Sequence, residues 1–267
     1  MRVTNGMLAQ TALRNIQANL ARSETLQDQI TSGSRIRRPS DDPIGASRAL
    51  NFQDGLDQTT QYLRNIDQSS AWLNVSDSAL GSATSLIQRA KELAVQGSND
   101  TLSSQDRLAA SVEIEQISQQ MMNIANSKYG NRYIFSGTKS NLPAYTTATS
   151  AGFQGNSNSI EQEISPNVTV GINVDGAGIR GTLTQLDSRL DTILTARSQV
   201  GAKTNRLEYA QGRLQEIQVN LTSLLSQVKD VDMAEAITNF SVQDTVYKAS
   251  LSAAAKAIQP SLLDYLQ

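Results

Sequence analysis

The sequence predicts a mainly α fold: an elongated rod of long antiparallel helices with coiled-coil seams. Its N- and C-terminal helices pair at one end and a small β-hairpin-rich insertion sits at the other. Three observations predict this. Leu186, Ile193, Val200, Leu207, Leu214, Leu221 and Val228 recur at strict seven-residue intervals, the repeat of a helix with one sustained apolar seam. No proline interrupts the chain from Ile44 to Gln96, room for a helix roughly 80 Å long at ~1.5 Å per residue. Aromatic residues make up only 4% of the 267 residues, which suits thin bundles better than a thick core.

In chain order, Leu13, Ile16 and Leu20, then Leu26 and Ile30, keep to one broad helical face, and Gly33 supplies the stop. After the loop around Pro39 and Asp41, Asp42 is placed as the N-cap and Pro43 as the first residue of the next helix. That helix carries Ile66, Leu73, Leu80 and Ile87 every seven residues, with Leu56 and Leu63 one stripe away, and ends at residues 97–100. Ser103 and Asp106 form an S-x-x-D start for a third helix, expected to run to about Tyr129, close at Gly130 and fold back antiparallel on its predecessor.

Residues 131–178 change character. Arg132 to Phe135 reads as a strand, and Val168, Val170, Ile172 and Val174 alternate as strands do. Helical signal returns near Ile179 and continues through the seven-residue repeat. A break at 229–232 follows, where Asp232 and Glu235 are spaced as N-cap and N3 of a capping box beside Asp230. The last helix shows Met233, Ile237, Phe240, Tyr247, Leu251, Ala254, Ile258, Leu262 and Tyr265 on its apolar face. The first helix, which also has a stripe and no other mate, is its expected partner. Two such helices with thin stripes bury little surface, so both ends are expected to be disordered in the monomer and to fold on packing against neighbouring subunits.

Composition excludes most chemistry. Cysteine and histidine are absent, which removes thiol nucleophiles, disulfides, the usual zinc sites and imidazole acid-base catalysis. The paired carboxylates Asp41–Asp42 and Glu161–Glu163 could imitate a metal or acid-base site. The first pair is better read as a helix cap, and the second has no other ligand near it in sequence. No enzyme activity and no cofactor are expected. The formal charge of −2 offers no footprint for nucleic acid, and no run of eighteen apolar residues offers a membrane span. The first forty residues carry six arginines against Glu24 and Asp28, either a solvated helix face or one that meets an acidic neighbour. The N-terminal segment lacks the apolar core of a standard signal peptide.

Several motifs carry a resemblance across nearly the whole chain. Ser32-Gly-Ser-Arg-Ile36 with Arg38-Pro-Ser-Asp-Asp-Pro43, then Asn205-Arg-Leu207, Asn220-Leu221 and Val228-Lys-Asp-Val-Asp-Met-Ala-Glu235, resemble the two halves of flagellin-like axial proteins of the bacterial flagellum. The turn SDDPIGASRAL, the segment Tyr133 to Thr138 with Pro143-Ala-Tyr145, and Pro260 to Leu266 resemble the hook-filament junction branch; a short flagellin is the alternative.

The resemblance implies a structural subunit exported unfolded by the flagellar type III apparatus into the extracellular flagellum. There it would self-associate in a helical tube, with the first hook-associated protein on the hook side and flagellin on the filament side. An export chaperone would shield the C-terminal helix in the cytoplasm; nucleic acid and membrane are not among the expected partners. The expected division is a terminal coiled coil (1–40 plus 230–267), a central helical rod (41–130 plus 179–229) and a β-rich outer domain (131–178). Leu13, Ile16, Leu20, Ile30, Ile237, Phe240, Tyr247, Leu251, Ile258, Leu262 and Tyr265 are the expected assembly interface. Gly33, Pro39, Asp41, Asp42, Pro43, Asp230, Asp232 and Glu235 are the expected caps and joining turns.

Overall fold

In the computed structural model, residues 5–146, 152–177 and 185–258 are described. They form five helices, α1 (Asn5–Ser32), α2 (Pro43–Gly97), α3 (Ser104–Ala125), α4 (Leu186–Lys229) and α5 (Met233–Ile258). Four short strands lie between α3 and α4: β1 (Lys128–Tyr129), β2 (Arg132–Tyr133), β3 (Glu161–Ser165) and β4 (Val168–Gly171). The fold is mainly α. Two compact units divide it, one made of Met1–Leu56 with Val219–Gln267 and the other of Asp57–Gln218.

The 57–218 unit is built on facing heptads. Ile66, Leu73, Leu80 and Ile87 of α2 are buried against a core that includes Ile193, Val200, Leu207 and Leu214 of α4 and Ala110, Ile117, Met121 and Ala125 of α3. Polar links fix the direction of packing: Gln211 donates to Asp67 at 2.9 Å, Arg197 pairs with Asp77 at 3.0 Å and Lys91 with Asp187 at 2.5 Å. As α2 advances α4 recedes, so the two are antiparallel. Arg89 joins Glu113 of α3 at 2.8 Å.

A second α2 row also repeats every seven residues and is made of small side chains: Ser69, Ser76, Ala83 and Ala90, all buried. The hydroxyls in this core need partners, and the helix provides them. Ser69 donates to Asn65 O at 2.6 Å, Ser76 to Trp72 O at 2.9 Å and Thr84 to Leu80 O at 2.8 Å.

α3 ends at Ala125, four residues short of the helix the sequence predicts. Asn126 explains the stop. Its side-chain amide donates to Tyr145 O at 2.8 Å and its carbonyl accepts from Tyr145 N at 2.9 Å, tying the helix end to a loop nineteen residues on. Lys128–Tyr129 instead pairs with Arg132–Tyr133 as a hairpin, and Gly130, at φ +57°, serves its turn and not a helix end. The predicted strand through Phe135 is correspondingly shorter, covering only Arg132–Tyr133. β3 and β4 pair antiparallel across a turn at Asn167, φ +60°. Ile134, Phe135, Ala144, Tyr145, Ile164 and Val170 of the inserted segment share one apolar core with α2, α3 and α4. The predicted helical start near Ile179 lies outside the described residues.

Candidate assembly surface

In the unit formed by the two ends, α1 and α5 pack along one another, their Cα atoms within 8 Å. Ser34 bridges Asp230 in antiparallel register, and Gln243 Nε2 donates to Asn19 O at 3.2 Å; the helices therefore run antiparallel. Burial reveals the seam. Ala12, Ile16, Asn19, Ser23, Leu26 and Ile30 on α1, and Ala236, Phe240, Gln243, Tyr247, Ser250 and Ala254 on α5, are partly or fully covered and form the seam; Gln29 and Asp244, each next to a seam residue, are partly covered as well. Both seam sets step by four and three, the knobs-into-holes spacing of a two-helix coiled coil.

The apolar stripes seen in the sequence are wider than this seam, and the structure sorts their residues into two groups. Ile16, Ile30, Phe240 and Tyr247 lie in the seam. Leu13, Leu20, Ile237 and Leu251 do not, with 53%, 43%, 53% and 42% of their surface exposed. Each follows a seam residue by one position (12, 19, 236 and 250), about 100° further round its helix. In an antiparallel pair the same rotation from the seam points to the same side, so α1 and α5 carry these four apolar side chains on one flank, interleaved with Glu24, Asp244 and Lys248. Val242 and Val246, also exposed, each precede a seam residue by one position and lie on the opposite flank. Ile258 ends α5, and neither its side chain nor Leu262 and Tyr265 fall within the described residues.

The joining turns have specific local geometry. Gly33 takes φ +65° directly after α1, a conformation only glycine adopts without strain. Asp42 Oδ1 accepts from Gly45 N at 2.9 Å, with Pro43 opening α2. A Cβ added at Gly45 would stand 2.5 Å from the side-chain ends of both Asp42 and Ile36, so a larger residue there would have to displace them. Asp232 Oδ1 accepts from Ala234 N and Glu235 N at 2.9 and 3.2 Å, capping α5 with Glu235 in its first turn. Asp230 accepts from Ser226 Oγ at 2.6 Å. Pro39 lies exposed at the turn's tip. Glu161 and Glu163 belong to β3 in the other unit; Glu163 accepts from Tyr62 Oη at 3.5 Å.

Asp41 Oδ2 accepts from Arg38 N at 2.9 Å and Arg37 N at 3.1 Å. These donors, Arg38 first, hold its carboxyl below the ordinary range. A folded value below the unfolded one means that the stabilisation is complete above about pH 4 and fades as pH falls through the folded value. Followed by NMR, the Asp41 carboxyl should titrate with a midpoint below ~3.9, and the Arg38 amide proton should shift with the same midpoint. In Asp41→Asn that acid transition should vanish; an unchanged Arg38 titration would contradict the bond.

Comparison with known proteins decides the family. A model described as the bacterial flagellin N-terminal helical region matches residues 3–140, and one described as the C-terminal helical region matches 183–266. The chain belongs to the bacterial flagellin family. Among its flagellin-family relatives, "Flagellar hook-associated protein 3" of Salmonella typhimurium is 34% identical over 185 residues, 69% of this chain and 58% of the relative. The protein of that name in Escherichia coli is 26% identical over 95% of this chain and 96% of its own length. A flagellin of Halalkalibacterium halodurans is also 26% identical, over 97% and 96%. Among solved structures, Bacillus cereus FlgL aligns with a TM-score of 0.57 at 25% identity, covering 66% of this chain and 99% of that one.

The small α2 row and the division of the terminal stripes into seam and flank are features the sequence reading missed. The first was legible as a second seven-residue repeat three positions after the large one. The second needed the position of the partner helix.

Proposed function

We propose that the chain is a structural subunit of the bacterial flagellum that forms the junction between hook and filament. It assembles into a tubular layer by packing its terminal helices against those of neighbouring copies. The observation that carries this is the α1/α5 pair with apolar residues left exposed on both flanks, outside its own seam. A pair of this kind has sides for two neighbours, and contacts between unlike faces propagate instead of closing into a dimer. The similarity to two hook-associated proteins of that printed name supports the position in the flagellum. The first hook-associated protein on one side, flagellin on the other, and a chaperone over α5 before type III export are the partners this reading assigns. An unpaired amphipathic helix in the cytoplasm is an aggregation hazard, which gives shielding its physical reason. Ordering of the two ends on assembly belongs to the same proposal, as does the division into terminal, central and outer parts.

Flagellin is the second reading, favoured by a flagellin relative matched along almost its whole length. Seeding separates the two. Purified protein offered hook-type seeds should add a limited layer and stop, and a strain lacking it should shed its filaments. Growth of long filaments from the seeds would instead identify a filament subunit.

A further inference from the structure

The α1/α5 seam specifies its own register poorly. Seven of its twelve seam positions are Ala12, Asn19, Ser23, Ala236, Gln243, Ser250 and Ala254. A slip of one heptad would set Asn19 against Ser250 and Leu26 against Gln243, and five large side chains among twelve positions oppose such a slip less than a fully apolar seam would. Something outside the seam must fix where α5 lies along α1.

A clasp at the base of the pair has the right geometry. Four helix ends converge there: the C-termini of α1 and α4 and the N-termini of α2 and α5. Arg35 N donates to Lys229 O at 2.6 Å, and Val231 N to Gly33 O at 3.1 Å. The Arg35 guanidinium donates to Val228 O at 2.8 Å, and the hydroxyl of buried Ser34 lies 3.0 Å from Ile36 O and 3.2 Å from Lys229 O, either of which can accept its proton. The Val228 and Lys229 carbonyls belong to the last turn of α4, where helical partners are lacking and a cation is favoured. Arg35 is thus a C-cap supplied from 193 residues away. The capped turn ends at Lys229, four positions before Met233, the first residue of α5.

We propose that Arg35, with Ser34, is the positioning residue of the assembly surface. By holding the end of α4 to the turn after α1, it sets the register in which α5 meets α1, and so which exposed side chains stand together on the flank. The importance of that register rests on the assembly reading above; the register itself does not, and it can be tested in the free chain.

The full chain has no native cysteine, so engineered pairs report cleanly. Asn19→Cys with Gln243→Cys reports the observed register, and Asn19→Cys with Ser250→Cys a slip of one heptad. Under a short thiol crosslinker, Ser34→Ala/Arg35→Met should lower the ratio of the first crosslink to the second roughly tenfold, the weight of one charge-assisted hydrogen bond. Arg35→Lys, which can still donate to Val228 O, should recover part of it. An unchanged ratio would overturn the proposal. So would equal loss of both crosslinks, since the clasp would then hold the helices together without choosing their register. Failure of the assembly reading would leave all these ratios as predicted.

Discussion

Leu251→Asp, and independently Leu13→Asp, should abolish assembly while leaving the monomer folded. Both side chains are about half exposed in the single chain, so the monomer should change by no more than ~0.5 kcal/mol, as at other surface sites. On the assembly reading proposed above, the same positions become covered in the layer. An unpaired carboxylate enclosed among apolar side chains costs several kcal/mol, so the affinity for the growing layer should fall by at least ~100-fold. Sedimentation of seeded assemblies reads the first effect. Thermal unfolding followed by Trp72, the single tryptophan and a buried residue of the other unit, provides the control. Assembly at wild-type levels by both variants would sink the assignment of this flank.

Leu207→Ala should have the largest effect on stability. Leu207 is fully buried at the centre of the α4 heptad row. Removing its isobutyl group leaves a cavity within a core shared by three helices and the inserted segment, at a cost of about 3 kcal/mol. Two residues along, Tyr209 is 82% exposed, and Tyr209→Ala should shift stability by under ~0.5 kcal/mol. Urea denaturation monitored by Trp72 measures both. Equal midpoints for the two variants would mean that α4 does not face its core through the seven-residue row.

The helices were legible because their signals are local and repeated. The row from Leu186 to Val228 needs no knowledge of a partner to announce a seam, and Asp42-Pro43 and Asp232 mark helix starts through bonds reaching only two or three residues ahead. The end of α3 was not legible, because the group that stops it, Asn126, acts through Tyr145, and no local pattern records that contact. Gly130 illustrates the same difficulty, since one positive φ serves a helix end and a hairpin turn equally well. The candidate surface was half legible. Apolar residues on α1 and α5 stand out in the sequence, but a stripe read from one helix cannot say which of its edges the partner covers. Ile16 and Leu13 are three residues apart, and only packing against α5 separates them into seam and flank. Arg35 gave no signal, because its role depends on carbonyls from the other end of the chain.

The assembly flank can be tested most directly by thiol labelling of Leu13→Cys and Leu251→Cys in two states, as free chains and in hook-seeded layers. Both thiols should react at the rates of exposed cysteines in the monomer and be protected at least ~50-fold once assembled, as residues at the core of an interface are. Equal labelling rates in the two states, from layers shown to be assembled, would contradict the claim that this flank joins the subunits.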